Sequence, residues 1–349
     1  MKRNNQKNQT YKNKKKNNKN NKNKNNKTKK NNKTNKSKSK QNLKNNYYTY
    51  NSSNNNSNSK LYNFKNLNCS PKAKTEKKSF TCFTDNQLHK MRDIWNARHR
   101  DQRIDSNDSK EIWLKLKTYY SRMCNKESCW VKKIVKDTPA EKELESELLD
   151  SFAPESPDEW SKNPNEWLSS VDIMEVMKQY EKAYKCFEFL GPSPIDYDSH
   201  KLYGECVWEE LCHFNLSEQI KNRKTKIGII FNTHPHDKPG EHWISLFVNI
   251  NTGKIFFFDS AGQPIPKQIN KFVDNIKEQG LKLSPPIYFQ FDQNYPTEHQ
   301  YKNTECGVYS LFFIVHMLED KITGNYLKTH VLKDEYMQKF RKIYFNGDL

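Results

Sequence analysis

The chain has 349 residues and a formal net charge of +19, from 60 Lys and Arg against 41 Asp and Glu. All of the excess lies in residues 1–60, which hold 19 basic and no acidic side chains, so the charge gives no ground for expecting a basic groove in the rest. The longest apolar run, near Val308–Leu318, is too short to cross a bilayer, and the start, MKRNNQKNQT, has no apolar segment to serve as a leader or an anchor.

Residues 1–65 are almost entirely Lys, Asn, Ser, Thr and Gln. Apolar groups are too rare there to offset the entropy of ordering, so a disordered tail is expected. Such a tail suits nucleic acid or another acidic surface by counterion release, or stands as a solvated segment with no specific partner.

A helical arm domain is expected over 66–153. Thr84-Asp85-Asn86-Gln87 has the capping-box pattern, followed by Leu88, Met91 and Trp95 on one helix face. Ile112, Leu116, Tyr119 and Met123 repeat that spacing in a helix opening at Ser109, and Thr138-Pro139-Ala140-Glu141 starts another before Leu144 and Leu148. Pro154, Pro157 and Pro164 mark a linker into a core domain over 154–349.

In that core, Ser169 and Ser170 can cap a helix carrying Ile173, Val176, Met177, Tyr180 and Tyr184 on one face, and Val207–Phe214 reads as a further helix. The period then changes. Lys226–Asn232, Trp243–Ile250 and Ile255–Asp259 are short and rich in β-branched and aromatic residues, with Asn251-Thr252-Gly253 joining the last two as a hairpin. Ile265, Ile269, Phe272, Val273 and Ile276 restore helical spacing, Pro286–Asp292 reads as a strand, and Lys333–Phe345 as a final helix. The fold class is therefore α+β, a mixed β-sheet flanked by helices.

Eight cysteines without a secretory leader read as reduced thiols in a cytosol-like compartment. Cys124 with Cys129, Cys206 with Cys212, and His234 with His236 are not paired CxxC ligand sets, so no metal is expected.

The chemistry concentrates at QYKNTECGVYSLFFIVHML, residues 300–318. Polar residues through Glu305 give way to Cys306-Gly307 and a long apolar run, a loop feeding the first turn of a buried helix. A thiol there faces unpaired N–H groups and the positive end of the helix dipole, which favour thiolate; the alternative is a buried cysteine that starts a core helix. Gly307 would leave the thiol's surroundings sterically open. A thiol protease also needs an imidazole, a group to orient it and donors for the oxyanion. His242 at the mouth of one hairpin strand, Asp259 at the end of its partner and Gln300 in the loop before Cys306 are available, with His234, His236 and His299 as rival imidazoles.

His242-Trp243, Asp259 seventeen residues later, and Gln300 six residues before Cys306-Gly307 resemble the Ulp1-like cysteine proteases, the family of SUMO-deconjugating and adenovirus-type enzymes. Trp167-Leu168 matches that family's early WL element. The segments WLSSVDIMEVMKQYE and FTDNQLHKMRDIWNARH are similar to the core and arm of the virion-maturation proteases of large DNA viruses, of asfivirus, poxvirus and mimivirus type. The resemblance covers roughly residues 80–349 and implies a Ulp1-like core. It implies Cys306 as nucleophile, His242 as general base and acid, Asp259 as the group fixing the imidazole, and Gln300 as oxyanion donor. Trp167 and Trp243 would close over the residues before the scissile bond, a flat aromatic tunnel that excludes Cβ atoms and so selects glycine.

The implied protein is a cysteine endopeptidase of viral structural polyproteins, cutting after Gly-Gly or Gly-Ala sites, in the virion and at the cytoplasmic assembly site of the host. Its partner is a protein substrate, with nucleic acid through residues 1–60, no membrane and no cofactor. Two alternatives stand beside it: removal of a SUMO- or ubiquitin-like modifier, and a non-enzymatic virion component working through its basic tail.

Overall fold

The computed structural model describes residues 68–72, 80–135 and 139–347. All of these fall in one compact unit spanning 60–349, and the basic tail lies outside them.

The arm region opens with α1 (Asp85–Arg98). The Gln87 N–H donates to the Thr84 hydroxyl and the Thr84 N–H to the Gln87 side chain (3.2 and 2.8 Å), so two orphan donors of the first turn are satisfied reciprocally. The next helix, α2 (Ser109–Tyr120), buries Ile112, Trp113, Leu116 and Tyr120 and ends before Met123, which is 63% exposed and does not extend the face as the spacing suggested. A short helix α3 (Glu127–Ile134) follows, with no side-chain cap at its N-terminus, and then α4 (Pro139–Leu149). These helices bury a hydrophobic core of their own, centred on Met91, Trp113, Trp130 and Leu148. Inside it Glu127 accepts from the Thr81 hydroxyl, the Cys82 N–H and the Trp113 indole, while burial pushes its carboxyl up to about 7.

The expectation of eight reduced thiols is corrected here. Cys69–Cys82, Cys124–Cys129 and Cys206–Cys212 are disulfides, and only Cys186 and Cys306 are free. The pairs stand at Cα separations of 5.1, 5.6 and 6.3 Å, a proximity that no CxxC spacing announces.

The stretch read as a proline linker is packed rather than free. A 3-10 turn over Asp158–Ser161 buries Trp160 edge-on against Phe345, at 5.0 Å between centroids. Helix α5 (Ser170–Ala183) then starts on a Ser169–Asp172 capping box.

The sheet is built from β1 (Phe187–Phe189), β2 (Ser193–Pro194), β3 (Lys226–Asn232), β4 (Trp243–Asn249), β5 (Lys254–Phe258) and β6 (Gln290–Gln293). Its order is β1-β3-β4-β5-β6, with β2 also paired to β3; β1, β2 and β6 run parallel to their neighbours and the β3–β4–β5 meander is antiparallel. The strand expected over 286–292 is reduced to β6, and β1 and β2 are too short to show a period. Helices α6 (Glu209–Cys212) and α7 (Leu216–Lys221) replace the single one expected over 207–214.

Both faces of the sheet are covered, which is why its strands read as nearly continuous apolar runs. Alternate side chains divide between two cores: Ile229, Leu246 and Phe257 face α8 (Lys267–Leu281), while Ile230, Phe247, Phe256 and Phe258 face α9 (Cys306–Leu318). α9 is enclosed on all sides by β3, β4, α5 and α11 (Asp334–Tyr344), with α10 (Gly324–Thr329) between it and α11 in the chain. Close approach of α9 to the sheet requires Gly228, where a Cβ would stand 2.8 Å from the Ile314 side chain. The outcome is a three-layer arrangement that brings the N-terminus of α9 to the end of the sheet where β4 starts and β5 finishes.

Candidate active site

The β4–β5 register pairs Ser245 with Phe258, so His242, just before β4, and Asp259, just after β5, leave the ladder at the same end. The His242 Nε2 and Asp259 Oδ1 are 2.7 Å apart, with the histidine side chain 22% and the aspartate 5% exposed. Cys306 is the second group that raises this imidazole, after Asp259. Burial is the largest influence on His242 and opposes its charge. The hydrogen bonds and negative charges of Asp259 and Cys306 together outweigh it and hold the imidazole up at about 10.

Asp259 is itself fixed from behind. Its N–H donates to the Asn294 amide oxygen and its carbonyl accepts from the Asn294 Nδ2 (2.9 and 2.7 Å), while the Ala261 N–H donates to its carboxylate at 2.8 Å. Asn294 is fully buried and was invisible to sequence reasoning, since a lone asparagine beside Tyr295-Pro296 reads as an ordinary turn former.

Cys306 is the first residue of α9 and 2% exposed. Gly307 does not open space around it as expected. A Cβ at Gly307 would lie 3.0 Å from the Leu168 Cβ and 3.3 Å from the Trp243 Cδ1, so the glycine permits α9 to press against both. Trp243 is buried and donates its indole N–H to the Leu168 carbonyl at 2.9 Å, whereas the neighbouring Trp167 is 38% exposed. The two tryptophans are thus joined through Leu168 beside the first turn of α9.

Gln300 is held by Ser260, whose hydroxyl donates to its side-chain oxygen (2.7 Å) and whose carbonyl accepts its backbone N–H (2.9 Å). One amide hydrogen goes to the Lys302 carbonyl at 2.5 Å; a primary amide carries a second. The rival histidines have other partners. His234 and His236 pair with Glu241 and Asp196, and the buried His299 accepts the Leu332 N–H through Nδ1 while burial lowers it to about 4.

Behind the site lies a residue that no spacing suggested. Arg341 on α11 is 2% exposed and bonds the fully buried Glu305 at 2.9 Å. The same guanidinium donates to the carbonyls of Thr304 (3.0 Å) and Glu166 (2.7 Å) and covers the Trp160 ring at 4.6 Å. It thereby grips the residues immediately before Cys306 and Trp167.

Residues 215–348 match the Ulp1 protease family, C-terminal catalytic domain. The chain carries a Ulp1-type protease domain. A protein of Acanthamoeba polyphaga mimivirus named for thiol-protease activity is 27% identical over 296 residues, covering 80% of this chain and 93% of that one. A cysteine protease of African swine fever virus is 28% identical over 252 residues, covering 68% of this chain and 90% of its own. The crystal structure of an African swine fever virus protease superposes with a TM-score of 0.57 at 20% identity, covering 81% of this chain and 98% of that one, which extends the shared fold into the helical arm. This Ulp1-type enzyme is a cysteine protease, acting on protein substrates, and its flanked mixed sheet has the architecture expected of one. Among the described residues no helix is long and apolar enough to cross a membrane.

Proposed function

We propose that this protease matures viral structural polyproteins, cutting after Gly-Gly or Gly-Ala sites, with a helical arm over 66–153 and a catalytic core over 154–349. The observation that carries the reading is the His242–Asp259 contact at 2.7 Å with Cys306 as the imidazole's other partner at the start of α9. The Cys306 thiolate attacks the scissile carbonyl, the amine leaves with a proton from His242, and water, giving up a proton to His242, then hydrolyses the thioester and releases the thiolate. Gln300 and the Cys306 N–H stabilise the oxyanion. Trp167 and Trp243 flank the residues before the cut and admit only those with little or no side chain.

The test is mapping of new N-termini in a denatured proteome treated with active protein and with Cys306→Ala side by side. Cleavage confined to the active protein, with glycine enriched before the cut, is the expected result; equal cleavage by Cys306→Ala, or no glycine preference, overturns it. A second reading, removal of a SUMO-like modifier, is favoured by a viral relative that bears the name SUMO-1 cysteine protease. Cleavage of modifier conjugates but not of Gly-Gly-X peptides would select it.

Residues 1–60 give this enzyme, in the same reading, a sliding contact with packaged nucleic acid in the virion and at the assembly site. Their deletion should abolish binding to duplex DNA, and binding by the full chain should weaken steeply with salt. Retained affinity without the tail, measured by fluorescence anisotropy, would end that part of the reading.

A further inference from the structure

Residues 197–208 form a hairpin that the sequence did not suggest. Trp208 N–H donates to the Tyr197 carbonyl, Val207 N–H to Ser199 and Lys201 N–H to Glu205, at 2.8–3.0 Å, with Gly204 at φ +84° in the tip. His200 and Cys206 face each other across it as bridge partners, and Leu202 and Tyr203 at the tip are 99% and 94% exposed. α6 follows at once and ends on Cys212, with His213 next in the chain. Two sulfurs and two imidazoles therefore converge at the base of one small hairpin.

We propose that His200, Cys206, Cys212 and His213 form a zinc site in the reduced protein, with the Cys206–Cys212 disulfide as the oxidised alternative of the same four residues. The Cys206 Sγ lies 4.0 Å from the His200 Nε2 and 3.8 Å from the His213 Nε2. With zinc–sulfur bonds of about 2.3 Å and zinc–nitrogen bonds of about 2.0 Å, the edges of a tetrahedral site are roughly 3.5–3.8 Å, close to those separations. The ligand atoms of His200, Cys206 and Cys212 all lie within 4.8 Å of one another, as do those of Cys206, Glu209 and His213. Glu209 stands beside the same set: one carboxylate oxygen accepts the Cys206 N–H at 2.8 Å, and the other meets the His213 Nε2 at 3.1 Å, a contact that zinc would replace on entering. Cys206 is 2% exposed whereas both histidines are exposed, so a metal would have a dry sulfur on its inner side and an open path of entry.

The interconversion balances. A dithiol reductant gives two electrons and two protons to the Cys206–Cys212 bond, becoming a disulfide itself and leaving two thiols; zinc then binds as both thiols release their protons. The hairpin, not the local spacing, brings His200 to Cys206.

The test uses full-length protein in a Cys306→Ala background, so that the active-site thiolate contributes no ligand. After treatment with a phosphine reductant, incubation with zinc chloride and desalting, mass spectrometry should find one zinc per chain, and the Cys206→Ser variant should lose it while Cys124→Ser keeps it. Cobalt in place of zinc should give thiolate charge-transfer absorption and the intense visible bands of a tetrahedral centre, a readout from the unaltered ligand set that does not depend on any site variant folding. Reduced protein without zinc, zinc retained by Cys206→Ser, or a cobalt spectrum lacking thiolate absorption would each overturn the proposal.

Discussion

Asparagine in place of Asp259 should make the enzyme fail progressively as pH rises. The substitution keeps the shape and the oxygen that His242 Nε2 meets at 2.7 Å, and removes the negative charge that helps hold the imidazole at about 10. Without that charge the imidazolium returns toward the ordinary histidine value of about 6.5. At pH 6 both proteins carry the charged imidazole and kcat/KM should differ by only a few-fold. At pH 9 the variant should be about 300-fold slower, because each unit above its lowered pKa removes a further tenfold of the protonated form. Stability runs the other way. Stabilisation from a raised histidine is fully present below its unfolded value near 6.5 and is lost as pH rises through about 10, so the variant should be the less stable protein below pH 6.5 and the two should converge as pH approaches 10. Parallel pH–rate profiles for the two proteins, offset by a constant factor, would show that the Asp259 charge does not govern His242.

Arg341→Met should be the most destabilising single change near the site. The guanidinium is 3% and its partner Glu305 0% exposed, so removing one charge strands the other in the interior, a loss of about 3–5 kcal/mol. For a domain of this size that corresponds to a fall of roughly 10 °C in melting temperature. The carbonyls of Thr304 and Glu166 lose their donor as well, so the residues just before the thiol and just before Trp167 loosen together, and reaction of Cys306 with a glycine-directed electrophile should slow in the folded variant. Changing Glu305 to methionine in the same protein should restore most of the stability, because no unpaired charge then remains buried. Additive losses in the double variant, read from thermal melts, would show that the two residues do not act as a pair.

Short-range patterns were legible in this sequence because helices and strands bury side chains with periods of 3.6 and 2, and a chain of letters displays such periods directly. The Thr84 and Ser169 capping boxes, the Lys226–Asn232 strand and the Asn251-Thr252-Gly253 hairpin are of this kind, and they bring the fold class with them. His242, Asp259 and Cys306 could be placed for the same reason, each sitting at the end of a periodic segment, whereas Gln300 lies in the loop between two of them. Strands β1 and β2, with three and two residues, carry no period and were missed.

What the sequence determined by itself was the longer periodic elements and the α+β class. Tertiary structure alone decided which groups meet. Arg341 reaches Glu305 across 36 residues and the Glu166 carbonyl across 175, Asn294 clamps Asp259 across 35, and Gly307 is required by contacts with Leu168 and Trp243. The disulfides and the convergence of His200 with Cys206 belong to the same class. Periodicity reports whether a side chain is buried, whereas its partner is chosen by strand register and by the packing of layers far apart in the chain, and neither leaves a local mark.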